Sequence, residues 1–172
     1  GYHRTVNELL KKDAMYIRAM GANLNYNYQW IRIGMTGFHT RFEYSLAREA
    51  EPYKLFDFLG NENINGGLDY NCMIKKVNVF GELSISENGG LAQLHGISTK
   101  LHPRLGVSIL YRNYAKNYMN YLSQPIAESY HYNEQGLYTG IRVSLSRKLT
   151  LNAYFDRYKF PWLRYSVNKP SK

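Results

Sequence analysis

The chain has 172 residues and a formal net charge of +9, and its aromatic content is dominated by Tyr: 17 Tyr beside 7 Phe and 2 Trp. A single cysteine, Cys72, excludes an internal disulfide framework and a cysteine metal site. No run approaches the ~18 consecutive apolar residues of a transmembrane helix, which leaves barrel strands open, since these need only roughly ten residues of alternating character.

Thr5 and Glu8 have capping-box spacing ahead of Val6, Leu9 and Leu10, which predicts a short helix over 5–13. From Gly21 the period changes to two. Ala22, Leu24, Tyr26 and Tyr28 alternate with Asn23, Asn25, Asn27 and Gln29, so one face is apolar and the other amide. The same alternation predicts strands over 18–29, 31–46, 64–75, 77–87, 90–101, 105–114, 136–146 and 149–159. In the second of these, Phe38, Thr40 and Phe42 read as the apolar face against His39, Arg41 and Glu43.

Tight turns fall near 29–30, 75–76, 102–104 and 147–148, and the opposite ends carry the links 47–62, 88–90 and 114–135. Short turns on one rim and longer loops on the other are the layout of an outer-membrane barrel. Tyr28 with Trp30, Tyr111 with Tyr114, and Phe155, Tyr158, Phe160 and Trp162 sit where aromatic girdles are expected. A soluble barrel or sandwich also alternates, but its apolar face points inward. Strand length and the large aromatic residues among the polar faces favour the membrane form. The fold class is therefore all-β: an antiparallel up-and-down transmembrane barrel, with 1–172 as a single barrel segment and about eight strands visible.

The motifs Gly81-Glu82, Asn133-Glu134-x-Gly136-Leu137-Tyr138-x-Gly140 and Phe160-Pro161-Trp162-Leu163-Arg164-Tyr165 resemble the β-barrel portion of large outer-membrane proteins of Bacteroidetes. Those proteins carry an N-terminal helix-hairpin-helix segment, which this chain lacks. The opening His3-Arg4-Thr5-x-x-Glu8 is similar to that family's connection between strands. The resemblance implies a bacterial outer-membrane location and supplies no catalytic residues. A DNA-uptake role would follow from the family analogy alone. The stretch 161–167 reads as the start of a further strand, so the chain reads as a segment of a larger barrel.

Seven charges on the polar faces read from the alternation form the candidate site: Arg41, Glu43, Asp69, Glu82, Arg112, Arg142 and Asp156. A charge facing lipid at mid-depth costs ~2–4 kcal/mol for Arg or Lys, which places them in the lumen. Both signs are mixed, so a structural ion-pair network is preferred over a selectivity ring. Direct pairing of Arg142 with Asp156 is not expected from their offset. Glu82 is the expected partner of Arg142 or Arg112.

His39, His95, His102 and His131 have no spacing that suggests hydrolytic chemistry, and no His/Asp/Glu grouping has metal-ligand spacing. Neither catalysis nor a cofactor is expected. The expected role is structural or transport, with the solute unread. The alternative is a ligand- or partner-binding barrel using its mouth and long loops. Expected partners are outer-membrane lipid or lipopolysaccharide, and other envelope proteins. Nucleic acid is not expected, because no recognised motif accompanies the charge.

Overall fold

A side-chain period of two over such long runs commits the backbone to extended strands, and tight turns between them pair each strand with the next. The computed structural model describes residues 15–48, 50–128, 130–167 and 169–171. The helix expected at 5–13 lies outside them. Eight strands follow in chain order: β1 (Ile17–Tyr28), β2 (Ile31–Leu46), β3 (Gly60–Ile74), β4 (Val77–Ser86), β5 (Leu91–His102), β6 (Leu105–Tyr114), β7 (Glu134–Ser144) and β8 (Thr150–Lys159). They form one antiparallel sheet in the order β1-β2-β3-β4-β5-β6-β7-β8, an up-and-down meander with β1 and β8 at its edges. A short 3₁₀ turn at Pro52–Lys54 lies in the β2–β3 connection.

The register assigns every side chain to a face, because directly paired residues share one. Leu24 pairs with Met35, Met35 with Leu68, Leu68 with Leu83, and Ile97 with Ile109. Ile109 then pairs with Thr139, and Thr139 with Phe155. These residues mark an apolar face that stays exposed: Leu24 is 68% exposed, Phe155 69% and Leu151 54%. On the opposite face Thr40, Asn63, Asn65, Ser84, Ser86, Arg112 and Glu134 are buried. Beneath the loop the sheet hides polar side chains while its apolar face stays exposed; along the edge strands β1 and β8 nearly all residues are exposed on both faces.

Two sequence readings need correction. Register runs unbroken from Ile31 to Arg41 against β3, so His39 and Arg41 lie on the face of Ile33 and Met35. Phe38, Thr40 and Phe42 lie on the polar face. Phe42 is 1% exposed beneath Phe58 and Tyr121, with ring centroids 5.9 and 4.8 Å away. Hydrophobicity alone inverted this half-strand, because the polar face also needs an aromatic where a loop packs on it.

The second correction concerns 161–167, which is a turn closed by a bridge between Arg164 and Val167. The Asn133 side chain holds both backbone groups of Trp162: it donates to the Trp162 carbonyl (3.2 Å) and accepts from its N–H (2.7 Å). Those groups are satisfied without a ninth strand. The Trp162 ring meets Phe56 edge-on at 5.0 Å and donates to the Pro52 carbonyl, fixing the segment after β8 to the β2–β3 connection.

Candidate functional site

The described residues of the β6–β7 connection, 115–128 and 130–133, have no regular secondary structure and fold onto the polar face at the long-loop end. Four of the strands hold it with polar side chains. Asn63 and Asn65 of β3 both donate to the Met119 carbonyl (3.0 and 2.7 Å). Ser86 of β4 accepts from the Met119 N–H, and Ser84 accepts from the Tyr118 hydroxyl at 2.9 Å. Tyr114 at the end of β6 donates to the Ile126 carbonyl. Glu134, which opens β7, accepts from the Glu128 N–H (3.0 Å). Tyr118 packs into a buried cluster with Ala92 and Tyr114, and Tyr121 sits edge-on over Phe42. The loop is a plug over one end of the polar face, bonded to the sheet rather than resting on it.

Beneath the plug lies a buried ion triad. The Arg112 side chain is 1% exposed and Glu134 is 0% exposed, with Arg112 Nε 2.7 Å from Glu134 Oε1. The other side of the guanidinium takes Asp156 in a bidentate contact, at 2.9 and 3.0 Å. Charge-assisted, bidentate geometry of this kind satisfies a buried arginine almost completely. Gly136 makes room for it. A Cβ there would come within 2.5 Å of Arg112 Cζ, so the guanidinium lies across a position that tolerates no side chain.

Five of the seven charges read from the sequence share the polar face: Asp69, Glu82, Arg112, Arg142 and Asp156. Arg41 and Glu43 do not. Arg41 pairs laterally with Glu62, 3.3 Å away on the apolar side, and Glu43 accepts from the Tyr16 N–H. The expected pairing of Glu82 with Arg112 is also corrected, since Glu134 and Asp156 occupy that guanidinium. Asp69 meets Arg32 at 3.6 Å. Arg142 lies beside Asn152, while Asp156 lies beside Tyr138, in agreement with the offset expected between the two charges. Tyr114, expected in a girdle, is 4% exposed on the polar face. Sequence reasoning missed Glu134, because it stands where the irregular loop ends and no alternation had yet begun.

His131 belongs to the plug, with Nε2 3.3 Å from the Met119 sulfur and Tyr132 and Tyr118 around its ring. Burial pushes its imidazole below the ordinary range. A group whose folded pKa is depressed in this way binds more protons when released than when docked. Docking therefore weakens as the pH falls below the ordinary His value of about 6.5. The protection of the 115–128 amides, taken relative to their intrinsic exchange rate at each pH, is expected to fall between about pH 7.5 and 5.5, and His131→Gln should flatten that dependence. An unchanged profile in the variant would remove His131 from the account.

Among the described residues, no group of three His, Cys, Asp or Glu side chains could hold a metal. No family model matches the chain, and no curated protein matches it.

Proposed function

We propose that this chain forms the wall of an outer-membrane β-barrel with a structural or transport role in the bacterial envelope, its lumen obstructed at one end by its own loop. The observation that carries the reading is the inversion of the two faces. Soluble barrels and sandwiches turn apolar side chains inward. Here the apolar face is exposed across the sheet, and the polar face is packed with amides, hydroxyls and an ion triad under the plug. Contiguous apolar surface beyond a few hundred Å² marks a membrane or partner contact.

The dimensions support lipid as the contact. On β1 the apolar face runs from Met20 to Tyr28, roughly 26 Å along the strand at ~3.3 Å per residue. Strand tilt shortens this to about 20 Å, near the ~25 Å apolar band of such barrels. Above it, at the long-loop end, the same face becomes charged: Arg18, Arg41, Glu62, Arg157 and Lys159. That boundary is where an interface with water is required. The resemblance to Bacteroidetes outer-membrane barrels points the same way.

The plug bears on the choice of role. A mouth filled by hydrogen-bonded loop favours a structural wall or a gated path over a permanently open pore.

Leu151 and Asn152 are adjacent on β8 but face opposite ways, beside Val143 and Arg142 respectively. Leu151→Arg is expected to impair insertion into bilayers, by less than the ~2–4 kcal/mol that a cation costs at mid-depth on the lipid face, because Leu151 is the second residue of β8 and lies near the turn. Asn152→Arg, on the polar face, should insert as the unmodified protein does. Equal damage from both substitutions, or a protein that stays monodisperse without detergent, would overturn the reading.

A further inference from the structure

We infer that the turn-side half of the polar face holds a binding site for a phosphate-type anion, cradled between Lys100 and Arg142. The plug covers the long-loop end, and at the opposite end the polar face opens into a cavity of about 780 Å³. Its charged lining is entirely cationic: Lys76, Lys100, Arg142 and, when protonated, His102.

The register places two of these cations in one row. Lys100 of β5 pairs with Gly106 of β6, and Gly106 with Arg142 of β7. The two cations therefore stand two strands apart, with Cα atoms roughly 10 Å from each other at ~4.8 Å per strand. Between them the floor is glycine, and a Cβ on Gly106 would already touch the Arg142 Cβ at 3.9 Å. The next row contributes hydroxyls, Ser98 paired with Ser108, and Tyr138 and Tyr154 stack as a wall with centroids 5.8 Å apart. A slot of this width, with a cation on each side and hydroxyl donors behind, suits a tetrahedral dianion that both cations contact at once.

Two further observations point to an anion. Elsewhere on the polar face the arginines are matched: Arg32 with Asp69, and Arg112 with Glu134 and Asp156. Lys100 and Arg142 meet no carboxylate among the described residues. The rim around the cavity is also cationic. The turns at 75–76, 103–104 and 145–149 carry Lys75, Lys76, Arg104, Arg147 and Lys148, and none carries Asp or Glu. A single-sign rim over a low-dielectric cleft concentrates counter-ions at its entrance. Cavity and rim together thus place seven cationic side chains at this end of the sheet, with no Asp or Glu among the cavity lining or these turns.

The same phosphate chemistry is offered by a free solute anion and by the headgroup of an anionic lipid, and the test separates them. Full-length protein in uncharged detergent micelles is dialysed against radiolabelled inorganic phosphate. In parallel it is titrated with bicelles of phosphatidylcholine alone or with phosphatidylglycerol added. Saturable binding of one probe is expected, weakened at least tenfold by Lys100→Gln and by Arg142→Gln. Lys148→Gln, which removes the same charge from the rim, should weaken it less than twofold. Binding of inorganic phosphate assigns the site to a solute, and binding of phosphatidylglycerol bicelles alone assigns it to a headgroup. No saturable binding of either probe, or equal effects of all three substitutions, would overturn the proposal. The inference rests on the polar face being a lumen. A protein that binds phosphate yet needs no detergent would keep the cradle and lose the barrel.

Discussion

Arg112→Met is expected to lower the unfolding free energy in detergent by about 3–5 kcal/mol, the usual consequence of removing one partner from a buried ion pair. The loss is large because of what remains. Glu134 is fully buried and would keep a charge without its counter-ion, and Asp156 would lose a bidentate contact. Glu134 would still hold the Glu128 N–H, which does not neutralise it. If the triad acts as a unit, its members are not additive. Adding Glu134→Gln and Asp156→Asn to Arg112→Met should therefore recover much of the lost stability. Guanidinium unfolding midpoints for the single and triple variants decide the matter. A triple variant weaker than the single one by the sum of separate losses would show three independent contacts instead.

Gly90→Val is expected to detach the plug while leaving the sheet in place. Gly90 ends the β4–β5 turn, and a Cβ there would lie 2.4–2.5 Å from Tyr118 Cα, Tyr118 N and the Asn117 carbonyl oxygen. All three are backbone atoms, so no rotamer change relieves the clash, and the loop itself must move. Overpacking of this kind costs about 1–3 kcal/mol. At ~2 kcal/mol the undocked population rises roughly thirtyfold, at tenfold per 1.4 kcal/mol. Tryptic cleavage at Lys116 should rise in proportion, with strand content by circular dichroism unchanged. Gly89 gives the contrast. It has φ +77° and open space around its Cβ position, so Gly89→Ala should strain the turn by ~1–2 kcal/mol without releasing the loop. Equal release from both substitutions would mean that turn strain, not contact with Tyr118, controls docking.

Much of the sheet was legible because side-chain period two is a local signal, and β1, β4, β6, β7 and β8 each repeat it cleanly. β3 begins at Gly60 rather than near 64, since Asn61 and Asn63 belong to a polar-face row that hydrophobicity does not mark. β2 shows where the signal fails. Near the long-loop end the exposed face leaves the apolar band, with His39 at its border beside Met20 and Arg41 beyond it, while Phe42 turns in to meet Tyr121. Alternation persists there with its meaning reversed. How the plug is held was not legible. Its hold depends on side chains far apart in sequence, such as Asn65 with the Met119 carbonyl, and no spacing within 115–133 announces them. Arg112 and Asp156 were recognisable as polar-face charges, but their union required the register of three strands.

The central claim is that the exposed apolar face meets lipid while the opposite face does not. Nitroxide scanning along β1 tests it most directly, on a Cys72→Ser background reconstituted in phospholipid bilayers, with single cysteines at each position from Asn23 to Tyr28. Collision rates with oxygen, which concentrates in lipid, and with a water-soluble nickel chelate are then compared. The account predicts a period of two: high oxygen and low nickel accessibility at Leu24, Tyr26 and Tyr28, and low oxygen accessibility at Asn23, Asn25 and Asn27. Uniform accessibility along the strand, or the opposite phase, would contradict it.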